Sequence, residues 1–303
     1  MLTLSVTNKL RSPDSPQMLF NRYKNLHLIQ QLDPERDHCQ IYRLMIGYEF
    51  PWEMMRSLEV ALMRTYCIPS ISKLLDKTGE FYHRPQKRYD DTGIIVGEIG
   101  KWGYDSDRGK QAMQRMNAIH ARFKIDDADF LYVLSTFIYD PIRWNASFGW
   151  RLMCEQEKLA AFYFWREVGK RMHIENIPET YEEFERYNRD YERANFRYSD
   201  TNRRVGEATR DLFLSWFPGW MRFALKPLVY ALLDDTMLDA FGFNHPSPFL
   251  RSLLANILKI RAKLLRFFPP RNQPYFFIDS SIRSYPHGYE IGDVGPVENS
   301  KIR

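Results

Sequence analysis

The chain has few cysteines, no long apolar run and little net charge. Its 303 residues include three cysteines, Cys39, Cys67 and Cys154, which lie far apart and outside any CxxC spacing. This argues against a disulfide framework or a thiolate zinc site and favours a reducing compartment. No stretch of about eighteen uncharged apolar residues occurs, so a membrane-spanning helix is not expected. The first thirty residues lack the pattern of a secretory signal, which predicts an intracellular protein.

The charges are numerous but nearly balanced. Forty-three basic residues face 38 acidic ones, which leaves a net charge of +5. No glycine-rich, zinc-finger or aromatic nucleic-acid motif accompanies this small excess. Nucleic acid is therefore not expected as a partner.

Apolar residues, by contrast, are plentiful and follow helical spacing. The chain is 44% hydrophobic and 15% aromatic, while strand-like alternation is scarce. We predict an all-α protein with one helical domain over 41–268. An N-terminal arm over 1–40 precedes it, and an irregular tail over 269–303, rich in proline, glycine and tyrosine, follows it.

Several helix boundaries are predicted from local signals. Ser106 and Asp126 each precede a helical stretch as N-caps, and Thr180 with Glu183 forms a capping box. Asp90 and Asp91 are expected to cap a further helix. Pro141 is expected to end the helix that starts at Asp126, because it cannot donate a backbone hydrogen bond.

Beyond Pro141, two side chains have predicted structural roles. Trp144 is expected to fill part of the core, as a large aromatic after a proline-ended helix commonly does. Arg143 is expected to pair with a carboxylate such as Glu155 or Glu157.

A histidine lies within an apolar helical stripe. Met113, Met116, His120 and Phe123 follow one another at spacings of three, four and three, which places them on one helix face. Asn117 lies close enough to that face to add a polar contact. On the residues alone, His120 is either a core histidine bonded to a backbone carbonyl or an iron ligand whose second nitrogen donates to a carbonyl or carboxylate. A single histidine suits haem better than zinc, because haem brings four ligands of its own.

Upstream, Arg88 and Thr92 are four residues apart, in the stretch RYDDT. On one helix they share a face, which would place a guanidinium and a hydroxyl at the edge of an apolar pocket. The alternative is that Thr92 is a first-turn residue and Arg88 a surface charge.

Six sequence blocks follow one another in fixed order between about Gln30 and Asp239: PSISKLLDKTGEF, RYDDT, GYDS, RMNAIHARF, DPIRW and LLDD. Together they resemble one family, the haem oxygenases that include the rubber-cleaving latex-clearing proteins. The likeness is greatest to its fungal MpaB-type branch, the endoplasmic-reticulum oxygenases of mycophenolic acid biosynthesis.

The resemblance implies a globin-like helical domain with a pocket for b-type haem. His120 corresponds to the proximal iron ligand, and Met116, Asn117 and Lys124 lie beside it as further cofactor-binding residues. Rubber-cleaving members carry arginines three residues before and four residues after the histidine. Here those positions are Asn117 and Lys124.

The same resemblance implies catalytic roles for Arg88 and Thr92 on the oxygen-binding side. It departs at Asp91, where rubber-cleaving members have a lysine. The expected reaction is O2-dependent oxidation or cleavage of a C=C bond in a hydrophobic prenyl or terpenoid substrate. The alternatives are the same fold with isomerase or cyclase chemistry, and a non-catalytic haem or lipid carrier.

A terpene cyclase is a separate alternative. The stretch DDTMLD, with Asp234, Asp235 and Asp239, resembles the magnesium-diphosphate motif of those enzymes. Their downstream Asn/Ser/Glu motif is missing, so a solvated acidic helix face is the simpler interpretation.

Residues 249–268 combine a leucine-rich face with basic side chains, and no acidic residue occurs between Pro248 and Asp279. This pattern fits either a helix in an anionic membrane surface or a core helix with a basic edge. The resemblance favours the cytoplasmic face of the endoplasmic reticulum, with a cytoplasmic location as the alternative. The basic residues are Arg251, Lys259, Arg261, Lys263 and Arg266.

Overall fold

The secondary structure is predominantly α-helical within residues 21–296, which are the residues that the computed structural model describes. Within that range there are fourteen α-helices and no strand, and one isolated bridge joins Ile282 and Tyr285. The all-α prediction is confirmed. The division into arm, domain and tail at 40 and 268 stays a prediction.

The helices are α1 (Lys24–Ile29), α2 (His38–Leu44), α3 (Pro51–Thr65), α4 (Pro69–Thr78), α5 (Glu80–His83), α6 (Pro85–Trp102), α7 (Asp107–His120), α8 (Asp127–Phe148), α9 (Glu155–Arg171), α10 (Tyr181–Asn195), α11 (Asp200–Ser215), α12 (Gly219–Ala231), α13 (Asp235–Phe241) and α14 (Pro248–Leu265). A π-helical turn over Met45–Glu49 connects α2 to α3.

Helix α8 is the centre of the fold. Every residue from Leu134 to Pro141 is buried, because α3, α9 and α10 pack around the helix. Aromatic rings fill the space beside it, and Trp165 of α9 lies 4.5 Å from Phe137 between ring centroids. Such burial on all sides is typical of a core helix.

Pro141 does not end α8, and that prediction is wrong. The helix continues to Phe148 even though Pro141 cannot donate to the carbonyl four residues earlier. Trp144 and Asn145, in the following turn, are buried, and Trp144 packs against Trp52 of α3 at 6.4 Å between ring centroids. Tertiary packing beyond the proline thus outweighs the missing hydrogen bond. The core role predicted for Trp144 is confirmed.

Asp90 and Asp91 do not cap a helix, because α6 already begins at Pro85. Both carboxylates are buried and bind the segment that follows α14, residues 266–296, here called the C-terminal segment. Asp90 accepts from the backbone N–H of Ser284 at 2.9 Å, and Asp91 accepts from the hydroxyl of Tyr285 at 2.5 Å. By contrast, the N-caps predicted at Ser106, Asp126 and Thr180 are confirmed by their side-chain hydrogen bonds to the first turn.

The irregular C-terminal segment is packed against the helices. Lys87 donates to the Tyr285 hydroxyl at 2.6 Å and to the carbonyl of Gly295 at 2.8 Å. Arg115 of α7 donates to the carbonyl of Val294 at 2.5 Å, and Val294 is fully buried. The C-terminal segment therefore packs directly against α6 and α7 and buries part of their surface.

Candidate active site

An apolar cavity of about 380 Å³ lies between α3, α4, α6, α7, α8 and α9. Most of its walls are aliphatic or aromatic, as in cavities that hold an apolar ligand or cofactor. Residues from several helices contribute, including Leu74, Ile95, Ile99, Met116, Phe130 and Phe137.

His120 lines this cavity from the last position of α7. Its ring packs edge-on against Phe130, with 5.2 Å between ring centroids. Burial, together with the positive charge of Arg88, lowers the pKa of His120 from 6.5 to about 4. The imidazole is therefore neutral at physiological pH, and its unprotonated nitrogen can act as a ligand.

The Nδ1 atom of His120 is buried and has no hydrogen-bond partner among the described residues. In the described part of the chain, Nδ1 therefore meets neither the backbone carbonyl of a satisfied core histidine nor the carbonyl or carboxylate expected behind a ligand histidine. A buried polar atom without a partner costs about 1–3 kcal/mol, which a bound group can offset.

Arg88 and Thr92 line the same cavity from α6. Arg88 donates to the hydroxyl of Thr92, which itself donates to the carbonyl of Arg88 at 3.1 Å. Arg88 forms no ion pair with the described residues, and its guanidinium lies 5.7 Å from the ring centroid of Phe81. Within residues 21–296, the cavity thus contains a guanidinium that makes no direct ion pair and lies beside a hydroxyl.

The remaining predicted site residues are divided between the cavity and the surface. Met116 lines the cavity, as does Phe123, which lies just beyond the end of α7. Lys124 also lines it while remaining exposed to solvent. Asn117 is not among the lining residues, and its Nδ2 atom instead donates to the carbonyl of Arg171 at 2.8 Å.

The C-terminal segment supplies cavity residues that sequence reasoning missed. Gly295 and Pro296 line the cavity, although they are far from α6 and α7 along the chain. Lys87 makes this possible, because it binds both Asp91 on its own helix and the carbonyl of Gly295. No local pattern indicates such a contact, since it is specified only by long-range packing.

Comparison with known proteins gives the family. Residues 51–260 match the family model described as "ER-bound oxygenase mpaB/B'/Rubber oxygenase, catalytic domain". The chain belongs to this oxygenase family. The matched range contains His120, Arg88 and Thr92 and most of the cavity wall. The resemblance seen in the sequence is confirmed.

Two relatives in this oxygenase family come from Penicillium brevicompactum. The chain is 31% identical over 251 residues to "ER-bound oxygenase mpaB'", a match that covers 76% of this chain and 59% of that protein. It is 34% identical over 253 residues to "ER-bound oxygenase mpaB", with 76% and 57% covered. The chain therefore spans less than two thirds of the length of these relatives.

The fold also resembles a solved structure described as latex clearing protein in the closed state. The match has a TM-score of 0.52 and 14% identity, and it covers 88% of this chain and 77% of that one. At this identity it supports the all-α fold alone. Within residues 21–296, no helix is both long and apolar enough to cross a membrane.

The aspartates of DDTMLD are already paired. Asp234 caps α13 and forms an ion pair with Arg64, and His245 lies between Asp235 and Asp239 at 3.0 and 2.8 Å. None of the three lines the cavity that contains His120. This arrangement gives the terpene cyclase alternative no support.

Proposed function

We propose that this protein is a haem-dependent oxygenase that uses O2 to oxidise or cleave a C=C bond in a hydrophobic prenyl or terpenoid substrate. The observation that carries the proposal is the neutral His120 with a buried, unpartnered Nδ1 atom, in an apolar cavity shared with Arg88 and Thr92. Membership of the oxygenase family supports the reaction class.

The cavity residues fit b-type haem. His120 would ligate the iron, and Met116 would contact the apolar surface of the ring. Lys124, which lies in the cavity wall but is exposed, would offer positive charge to the anionic propionates. Asn117 has no such role in this proposal, because its amide is bound to the Arg171 carbonyl.

When bound, haem supplies the oxygen chemistry, and the protein supplies binding and electrostatics. Arg88 would provide N–H donors that favour negative charge developing on the oxygen-binding side. Thr92 would hold the guanidinium in place, because its hydroxyl accepts from Arg88 while donating its own proton to the Arg88 carbonyl. The low dielectric of the apolar walls strengthens these interactions and excludes water. The lowered pKa of His120 keeps its ring neutral, so haem ligation is expected to persist down to about pH 5.

Oxygen uptake tests this proposal. With haem-loaded protein and a prenylated substrate, O2 consumption is expected to match substrate loss. Arg88→Met is expected to lower kcat about a hundredfold while the haem absorption remains, because a preorganised donor near developing charge contributes on that scale. The matched control is Arg84→Met. Arg84 directly precedes α6, forms an ion pair with Glu80 and does not line the cavity, so this variant removes a cation outside the site.

Two outcomes would contradict the oxygenase proposal. Substrate conversion without O2 consumption would favour the isomerase or cyclase alternative. Substrate or haem binding with neither conversion nor O2 consumption would favour the carrier.

We also propose peripheral contact with the cytoplasmic face of the endoplasmic reticulum through residues 249–268. The family relatives carry "ER-bound" in their names, and the exposed side of α14 is strongly apolar. Helix α12, which packs beside α14, extends this surface with Trp220 and Phe223, 82% and 90% exposed. On α14 and just beyond it, the exposed residues are Phe249, Leu253, Ile257, Ile260, Leu264, Phe267 and Phe268.

The charges at this surface fall into two groups. Arg261 pairs with Glu53 at 2.8 Å and lies 3.6 Å above the ring centroid of Trp52, so it stabilises the fold. Lys226, Lys259 and Lys263 form no ion pair with any residue in 21–296. These lysines are therefore available to anionic lipid headgroups.

Flotation with vesicles containing anionic lipid tests the contact. A variant in which glutamate replaces Lys226, Lys259 and Lys263 together is expected not to float. Each basic residue near an anionic surface contributes about 1 kcal/mol to the free energy of membrane binding. The control carries the same charge change at Lys73, Lys77 and Lys110, which are exposed and outside this surface. A surface that pairs two copies of the chain would instead give a concentration-dependent dimer and no flotation.

A further inference from the structure

A second cavity, of about 110 Å³, adjoins the one that contains His120. The two share Leu62, Thr92, Val96 and Phe137 in their walls, and no residue of α7 lines the smaller one. The smaller cavity, here called the annex, is therefore an extension on the Thr92 side, away from His120.

Glu59 of α3 is the ionisable acid in the wall of the annex. Its side chain is 11% exposed, and its Oε1 atom accepts a hydrogen bond from the Tyr89 hydroxyl at 2.6 Å and forms an ion pair with Arg56 at 2.7 Å. The Oε2 atom receives no hydrogen bond from the described residues. One carboxylate oxygen is thus fixed in place and the other is left for a ligand.

Two aromatic rings close the annex by packing directly onto the backbone of glycine residues. Phe276 and Phe277 from the C-terminal segment cover it and pack onto Gly47 and Gly93. A Cβ atom at Gly93 would lie 2.5 Å from the ring of Phe277, so only glycine allows this approach. A preformed cavity of this kind needs little reorganisation to bind a ligand.

We propose that Glu59 binds a hydroxyl group at the polar end of the substrate, while the apolar remainder of the substrate extends past Thr92 into the side of the larger cavity that the haem leaves open. The inference rests on the proposed function in one respect: it assumes that the substrate binds in the larger cavity. Arg56 already pairs with Glu59, so the free carboxylate oxygen selects an uncharged hydrogen-bond donor, while a carboxylate or diphosphate would add a second negative charge with one arginine to offset both. The ligand class is therefore an alcohol with a long apolar chain.

The charge state of Glu59 sets the conditions for the test. Burial raises its pKa from 4.5 to about 7. At pH 8 the side chain is mostly ionised and acts only as an acceptor, so it should distinguish an alcohol from an ether.

Calorimetry on the full chain at pH 8 tests the proposal with three ligands of one chain length: farnesol, farnesyl methyl ether and farnesoic acid. Farnesol is expected to bind about tenfold more tightly than the ether, as a hydrogen bond to a charged group implies. Farnesoic acid is expected to bind more weakly still. Glu59→Leu should reduce the alcohol preference to within about twofold.

Glu59→Gln separates recognition from folding. It retains an acceptor without the charge, so it should keep the preference for farnesol over the ether while binding farnesoic acid better than the unmodified protein does. The Soret absorption of each sample is recorded in parallel, which scores haem binding independently of alcohol recognition. Equal affinities for farnesol and its ether, or a preference that survives in Glu59→Leu, would overturn the proposal.

Discussion

Replacing His120 with alanine is expected to weaken haem binding at least about a hundredfold, because it removes the iron ligand that the protein supplies. The fold should be unaffected. His120 stands at the end of α7, and its buried Nδ1 atom has no partner to lose. The measurement is the Soret absorption during haem titration of both proteins, with circular dichroism to verify helix content.

The matched control for this variant is His287→Ala, which removes an exposed histidine outside the cavity and should leave haem binding unchanged. Imidazole added to His120→Ala is expected to restore part of the Soret absorption, because the free ligand can enter the space left by the ring. Unchanged haem affinity in His120→Ala would contradict the assignment of this residue as ligand.

Arg151→Met is expected to lower the free energy of unfolding by about 3–5 kcal/mol, the typical cost of removing one partner from a buried ion pair. Arg151 donates to Glu157 at 2.7 Å and to Glu49 at 2.6 Å, and neither carboxylate is exposed. Without the guanidinium, two buried carboxylates lose their shared counterion. The network joins the π-helical turn before α3 to the start of α9, so these elements should loosen together.

Denaturant unfolding monitored by circular dichroism measures this loss. The control is Arg204→Met, which removes a surface arginine bound to Asp76 and half exposed. Its cost should stay below about 1 kcal/mol, as expected for an exposed pair. A similarly small cost for Arg151→Met would show that the buried network contributes little to stability.

The pairing of Arg151 also shows where prediction from the sequence fails. Arg143 was expected to bind a carboxylate such as Glu155 or Glu157; it does bind carboxylates, but the two named partners are wrong. Arg143 lies 3.6 Å from Asp140 and 3.5 Å from Glu185, while Arg151 binds Glu157. Ion pairs between helices depend on interhelical geometry, which charge spacing along the chain does not define.

Local features of the fold were predictable for a physical reason. The N-caps at Ser106, Asp126 and Thr180 involve hydrogen bonds within one turn, so a short sequence window contains both partners. Pro141 has an equally strong local preference, yet burial of the next turn overrides it. Local signals therefore succeed where both partners lie within one turn, and they fail at Asp90 and Asp91, whose carboxylates bind residues far along the chain.

The same distinction applies to the candidate site. Helical spacing places Met116 and His120 on one face, and both line the cavity. The roles assigned to these residues, and to Arg88 and Thr92, stay predictions. Glu59 was not recognised, because an acid within a helical stretch resembles a solvated surface residue until the packing around it is known.

The most direct test of the central claim is the absorption spectrum of the haem-loaded protein before and after dithionite, and again with carbon monoxide. A Soret band that shifts on reduction and shifts further with carbon monoxide is the expected result, because His120 would hold the iron on one side and leave the other open to a gas ligand. A spectrum that stays that of free haem, or that does not respond to carbon monoxide, would contradict a haem-dependent oxygenase with an open oxygen-binding side.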